Sequence, residues 1–110
     1  MLDMVFEINK DDYLNIITGK QNCIPRRYNK IIKTPFRCLL HFGDKKIIGE
    51  FVCDSITECK YIPKDKDNAE SFVVPKGIFL GHYSTDKLSK LTQKGNAYLF
   101  TFKSYEFYGE

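Results

Sequence analysis

Residues 36–54 constrain the fold more than any other stretch. Phe36, Cys38, Leu40 and Phe42 alternate with Arg37, Leu39 and His41, the period of a strand that lays one face on a core. Gly43-Asp44-Lys45 supplies a hairpin turn. Residues 46–54 return as a second strand, with Ile47, Gly49, Phe51 and Cys53 on one face and Ile48, Glu50, Val52 and Asp54 on the other. Apolar residues on both faces predict a central strand, covered on both sides. A chain built on such a hairpin is sheet-based, and 110 residues make one domain, residues 1–110, with one core.

The flanking segments add two helices and more strands. Leu2, Met4, Phe6 and Ile8 alternate with Asp3 and Glu7, a half-buried strand. Asn9 reads as an N-cap, and Asp11 and Asp12 fall in the first helical turn, where the helix dipole favours acids. Tyr13, Leu14, Ile16 and Ile17 form the apolar stripe of a helix over about residues 10–18, and Gly19 fits its C-terminal cap. Pro25 removes a backbone donor and disfavours helix at Ile24, so residues 20–33 are expected to be extended and partly irregular. The strand after the hairpin is expected to run on, irregularly, towards Tyr61. Residues 63–70 read as a polar surface loop and Phe72-Val73-Val74 as a short strand. Ser84 or Thr85 with Asp86 starts a second helix, which carries Leu88 and Leu91 and stops before Gly95. The closing stretch, residues 97–108, carries Tyr98, Phe100, Phe102, Tyr105, Phe107 and Tyr108. So aromatic a strand is expected inside a closed or nearly closed sheet. The fold class is therefore α+β, with a curved or barrel-like sheet.

Charge is unevenly placed. Between Gly19 and Lys46 eight Lys or Arg stand against one acid, Asp44, which leaves +7; the other nine bases and thirteen acids leave −4. The stretch GKQNCIPRRYNKIIKTPFR (residues 19–37) holds Lys20, Arg26, Arg27, Lys30, Lys33 and Arg37 and no acid. A basic segment of this kind is a footprint for phosphates or another polyanion. Arg26 and Arg27 suit bidentate phosphate contacts, the other bases add salt-sensitive attraction, and Tyr28 suits stacking on a base.

Other chemistries find little support. Cys23, Cys38, Cys53 and Cys59 are expected as reduced thiols in a cytoplasmic protein, because MLDMVFEINK lacks the features of a secretory signal. Cys38-x-x-His41 lies in an alternating stretch, where an odd offset points the two side chains to opposite faces. The Cys53–Cys59 spacing is not that of a zinc knuckle. No phosphate-cradling glycine loop and no metal–carboxylate cluster is present, so neither metal nor other cofactor is expected. No apolar tract is long enough to span a bilayer. Cys23 is the one candidate nucleophile in the basic segment, with Lys20 and Arg26 close enough in sequence to lower its pKa. Glu50 and Glu70 are the candidate bases.

FEINKDDYLNIITGK (6–20), Arg26, KTPFRCLLHF (33–42), KKIIGEFVCDSI (45–56) and AYLFTFKSYEFY (97–108) together resemble the ASCH family of PUA-like domains over nearly the whole chain. The resemblance implies a small β-barrel of about five strands flanked by two short helices. It also implies a cleft beside the first helix associated with RNA or modified nucleosides. The family pattern after that helix is similar to Gly-x-Lys-x-x-x-x-Arg, and Gly19 and Arg26 match its ends. Its lysine position holds Gln21, and the threonine that members hydrolysing N4-acetylcytidine use is replaced by Ile24. Leu99 stands where the family's closing strand often has an aromatic. The leading expectation is a nucleic-acid-binding domain, RNA before DNA, that uses Lys20, Arg26, Arg27, Tyr28, Lys30, Lys33 and Arg37 along this cleft. The alternatives are an amidohydrolase acting on a modified nucleoside such as N4-acetylcytidine, and a protein-interaction or inhibitor module of phage or mobile-element type.

Overall fold

The computed structural model describes residues 3–27, 33–44 and 46–109. In chain order these form β1 (Asp3–Ile8), α1 (Lys10–Ile17), β2 (Cys23–Arg26), β3 (Phe36–Phe42), β4 (Ile47–Cys53), β5 (Ser55–Ile62), β6 (Ser71–Val73), α2 (Thr85–Thr92), β7 (Ala97–Thr101) and β8 (Tyr105–Phe107). One sheet has the order β1-β3-β4-β8, with β1 parallel to β3 and the other pairs antiparallel. The second has the order β2-β7-β5-β6 and is antiparallel throughout.

The alternation of β3 and β4 places Phe36, Cys38, Leu40, Phe51 and Cys53 on the inner face of the first sheet, where Phe6 and Ile8 of β1 join them. Ile24 of β2 and Phe100 of β7 meet this layer from the second sheet, and Ile16 of α1 completes it. Side chains of both sheets thus share one core, the arrangement of a stacked pair. The far face of the second sheet is covered by α2: Leu88 packs on Cys23, Cys59, Ala97 and Leu99. β7 is therefore buried on both sides, with Phe100 towards one cluster and Leu99 towards the other.

Several expectations are corrected. The described residues form eight strands in two sheets, not a closed barrel of about five strands. The chain leaves the first sheet after Cys53 and enters the second at Ser55, with the Asp54 N–H held by the Thr101 carbonyl at 2.9 Å. The closing aromatic stretch divides in the same way. The Phe102 N–H bonds to the Asn22 carbonyl at 3.1 Å, and the next strand, β8, lies at the open edge of the first sheet. Tyr105 and Tyr108 are exposed there, so these aromatics are not enclosed. Strand β4 is central in its sheet, but only one face is covered: Phe51 is buried while Val52 is exposed. Residues 20–33 were expected to be extended and partly irregular; within them Cys23–Arg26 is extended and pairs with β7 as a regular strand.

All four cysteines are free and buried. No helix among the described residues is long and apolar enough to cross a membrane.

Candidate functional site

Helix α1 begins where β1 ends, and its cap builds one side of a cleft. The Asn9 side chain accepts from the Asp12 N–H at 2.8 Å, and Asp12 Oδ2 accepts from the Asn9 N–H at 3.0 Å. This reciprocal capping box fixes Asp12 in the first turn and turns its second oxygen inwards. Oδ1 accepts from Gln21 Nε2 at 3.0 Å and lies 2.8 Å from His82 Nε2. The Tyr83 side chain also acts on this carboxylate, favouring its charged form. Burial alone would raise the Asp12 carboxyl, but the hydrogen bonds from Gln21, His82, Asn9 and Tyr83 outweigh it and hold the group below its ordinary value. Tyr83 moves the opposite way: burial first, then the Asp12 charge, raises its phenol.

The partners come from distant segments. His82 Nδ1 lies 3.3 Å from Lys87 Nζ, and an ammonium has only donors. Nδ1 therefore accepts, and Nε2–H donates to Asp12, so both ring nitrogens are engaged. Gln21 Nε2 also donates to the Cys23 carbonyl at 3.0 Å. The turn before His82 comes so close to Gln21 that a Cβ on Gly81 would lie 2.7 Å from Gln21 Oε1. Gly81 also has φ +60, which glycine adopts at little cost.

Arg26 ends β2 and forms the opposite side of the cleft. Its guanidinium stands 4.8 Å from the centre of the Phe6 ring, a cation–π distance. It donates to the Pro25 carbonyl at 2.8 Å and to the Glu7 carbonyl at 2.7 Å. Burial lowers its pKa, and Tyr83, Asp12 and Glu7 act against that. The Tyr83 side chain interacts with both Asp12 and Arg26. The resulting cleft has a volume of about 720 Å³ and includes Tyr13, Phe42, Arg26 and Tyr83 among its lining residues, with Glu7 and Lys10 at its exposed margin. Tyr13 packs edge-on to Phe42, with ring centres 6.0 Å apart. An aromatic wall facing a guanidinium suits a flat ring that carries, or adjoins, an anion.

Of the residues singled out in the sequence, Arg26 alone among those described lines this cleft. Lys20 is exposed beyond the other end of α1, its N–H on the Asn15 carbonyl at 2.8 Å. Arg27 and Lys33 are exposed. Arg37 projects from β3 on the open face of the first sheet, 3.5 Å from Glu50. Tyr28 and Lys30 lie outside the described residues. Among the described residues, the basic side chains of this segment are dispersed rather than gathered.

The groups considered for catalysis are placed elsewhere. Cys23 is fully buried beneath α2, and desolvation pushes its thiol up to about 12, which leaves no thiolate at neutral pH. Glu50 faces Arg37, and Glu70 accepts from Tyr61 at 2.7 Å and from Ser89 at 3.2 Å; neither lines the cleft. Ile24 is in the core, and Gln21 is tied to Asp12. Among the described residues no group of three or more His, Cys, Asp or Glu is placed to hold a metal ion.

Sequence reasoning missed Asp12, Gln21, His82 and Tyr83. The Asn9-x-x-Asp12 spacing is a capping signal that marks Asp12 as more than a dipole acid. Nothing local marks His82 or Tyr83, which reach Asp12 across seventy residues of chain. No family model matches the chain, and neither a curated protein nor a solved structure is significantly similar to it.

Proposed function

We propose that this chain is a nucleic-acid-binding domain, with RNA preferred over DNA, that seats one nucleotide of its ligand in the cleft between α1 and Arg26. The single observation that carries this reading is the Arg26 guanidinium. It is held over Phe6 by two backbone carbonyls at the edge of an aromatic-walled cleft. A carbonyl accepts a hydrogen bond without neutralising the charge, so the cation remains available to a phosphate or to the acceptor edge of a base. Tyr13 and Phe42 offer ring surface for stacking. The preference for RNA rests on the resemblance to the ASCH family. The buried thiol of Cys23 and the tied Gln21 favour binding over hydrolysis.

The test is fluorescence anisotropy with single-stranded RNA, double-stranded RNA and duplex DNA, using the parent and Arg26→Gln. Arg26→Gln is expected to weaken RNA binding about tenfold or more, the scale of a charge-assisted contact of about 1.5–3 kcal/mol. Circular dichroism establishes that the variant is folded. A folded variant that binds RNA as the parent does removes Arg26 from the site, and a parent that binds none of the three removes the function.

A further inference from the structure

A second groove lies at the other end of α1, with a volume of about 580 Å³. Ile17, Phe79 and Tyr105 line it and are 42%, 57% and 42% exposed. Three large apolar side chains sharing one groove form a patch rather than scattered surface residues. Phe79 does not owe its exposure to a loose loop. Its N–H donates to Asn22 Oδ1 at 2.8 Å, its carbonyl accepts from the Asn22 N–H at 3.1 Å, and Asn22 Nδ2 donates to the Gly77 carbonyl at 2.9 Å. Those three bonds clamp the turn to the start of β2 and hold the ring outward. Tyr105 is braced too, with ring centres 6.1 Å from Phe102 and 5.5 Å from Phe107. Among the described residues lining the groove, Lys103 alone carries a charge, and Lys20 follows directly on the lining residue Gly19.

We infer that this groove is a stacking platform for a single-stranded nucleic acid, in which bases lie on Phe79 and Tyr105 while Lys103 and Lys20 meet the backbone. Exposed rings braced from behind, with a cation and no carboxylate among the described residues that line the groove, match what a single strand needs: unpaired base faces on aromatics and phosphates near lysines. A duplex hides its base faces and does not use such a platform. The inference extends the proposed function. Helix α1, of eight residues, separates the two sites by about 12 Å, which at most about four nucleotides of strand cover. One strand can therefore place a nucleotide beside Arg26 and continue past α1 onto Phe79.

The test compares anisotropy of a labelled single-stranded RNA of roughly twelve nucleotides with one of roughly three, a span set by known single-strand sites. Phe79→Ala is expected to weaken the long RNA about tenfold and to leave the short one unchanged. Phe79→Tyr restores the loss, because it keeps the ring face; Phe79→Leu, equally apolar, does not. Arg26→Gln weakens both lengths. If Phe79→Ala leaves the long RNA unchanged while Arg26→Gln weakens it, the platform is wrong and the cleft stands. If Phe79→Ala weakens the long RNA and Arg26→Gln changes neither length, the cleft is wrong and the platform stands. If Phe79→Leu binds the long RNA like the parent, stacking is wrong. If Phe79→Ala instead loses a stoichiometric protein partner with RNA binding intact, the groove is a protein-docking surface and the inference falls.

Discussion

Asp12 takes donors from Gln21, His82, Tyr83 and the Asn9 backbone while only 2% exposed. Replacing it with alanine leaves those donors without an acceptor in a dry site, which costs about 3 kcal/mol. Equilibrium urea unfolding of Asp12→Ala near neutral pH reads that loss. The pH dependence follows from the direction of the shift. The folded carboxyl titrates below its ordinary value of 3.8, so its contribution is fully present above that value and is lost as pH falls through the folded pKa. The gap between parent and Asp12→Ala is therefore expected to narrow below pH 3.8. A gap that stays constant into acid means that the carboxyl titrates alike in the folded and unfolded chains. Little of this was legible in the sequence. A carboxylate at the start of a helix is ordinarily a solvated partner of the dipole, and its burial depends on a histidine and a tyrosine that only the tertiary fold brings near. Arg26 was legible because it stands in an acid-free basic stretch and matches the arginine that ends the Gly-x-Lys-x-x-x-x-Arg pattern.

At the scale of elements, close approach of backbone decides what glycine does in β4. A Cβ on Gly49 would lie 2.5 Å from the Glu106 carbonyl oxygen and 2.7 Å from Phe107 Cδ1. Both neighbours belong to β8, which pairs with β4 through Gly49↔Phe107. Gly49→Ala is therefore expected to push β8 off the sheet edge at a cost of about 2 kcal/mol. Amide exchange should accelerate in Tyr105–Phe107 far more than in β3; uniform acceleration across the sheet would contradict a local displacement. The sequence showed β3, β4 and both helices well, because each follows one period between strong punctuation: the Asn9 cap, Gly19, the Gly43-Asp44 turn and the Ser84 cap. It did not show that residues 46–61 and 97–108 are each two strands. Their apolar pattern runs on through Asp54 and Phe102, and what redirects the chain there is hydrogen bonding to Thr101 and Asn22. Strand β2 was legible only as extended backbone: Pro25 argues against helix but also against regular pairing, yet the strand sits at the edge of its sheet, where a missing N–H is tolerated.

For the whole molecule, the +7 carried by Gly19–Lys46 is not gathered on one face among the described residues. Arg26 lines the cleft, Lys20 lies beyond the far end of α1, and Arg37 meets Glu50 on the open face of the first sheet. A short strand seated on the cleft and the groove leaves Arg37 out. For single strands the slope of log K against log salt is about −0.7 per phosphate contact. If all six basic residues of 19–37 engaged, the slope would be about −4. Contacts from Arg26, Lys20 and Lys103 alone give about −2. We expect the shallower value when anisotropy titrations of single-stranded RNA are repeated across a salt series. Charge reversal at Arg37 should leave both affinity and slope unchanged, since that side chain meets Glu50 and lines neither the cleft nor the groove. A slope near −4, or a loss of affinity in Arg37→Glu, would mean that the ligand wraps the open sheet face, with the basic segment acting as a continuous track. The distinction matters for specificity. A track of lysines and arginines holds any polyanion, whereas one guanidinium and a few aromatic rings, set by a helix length, select for unpaired bases at a fixed spacing.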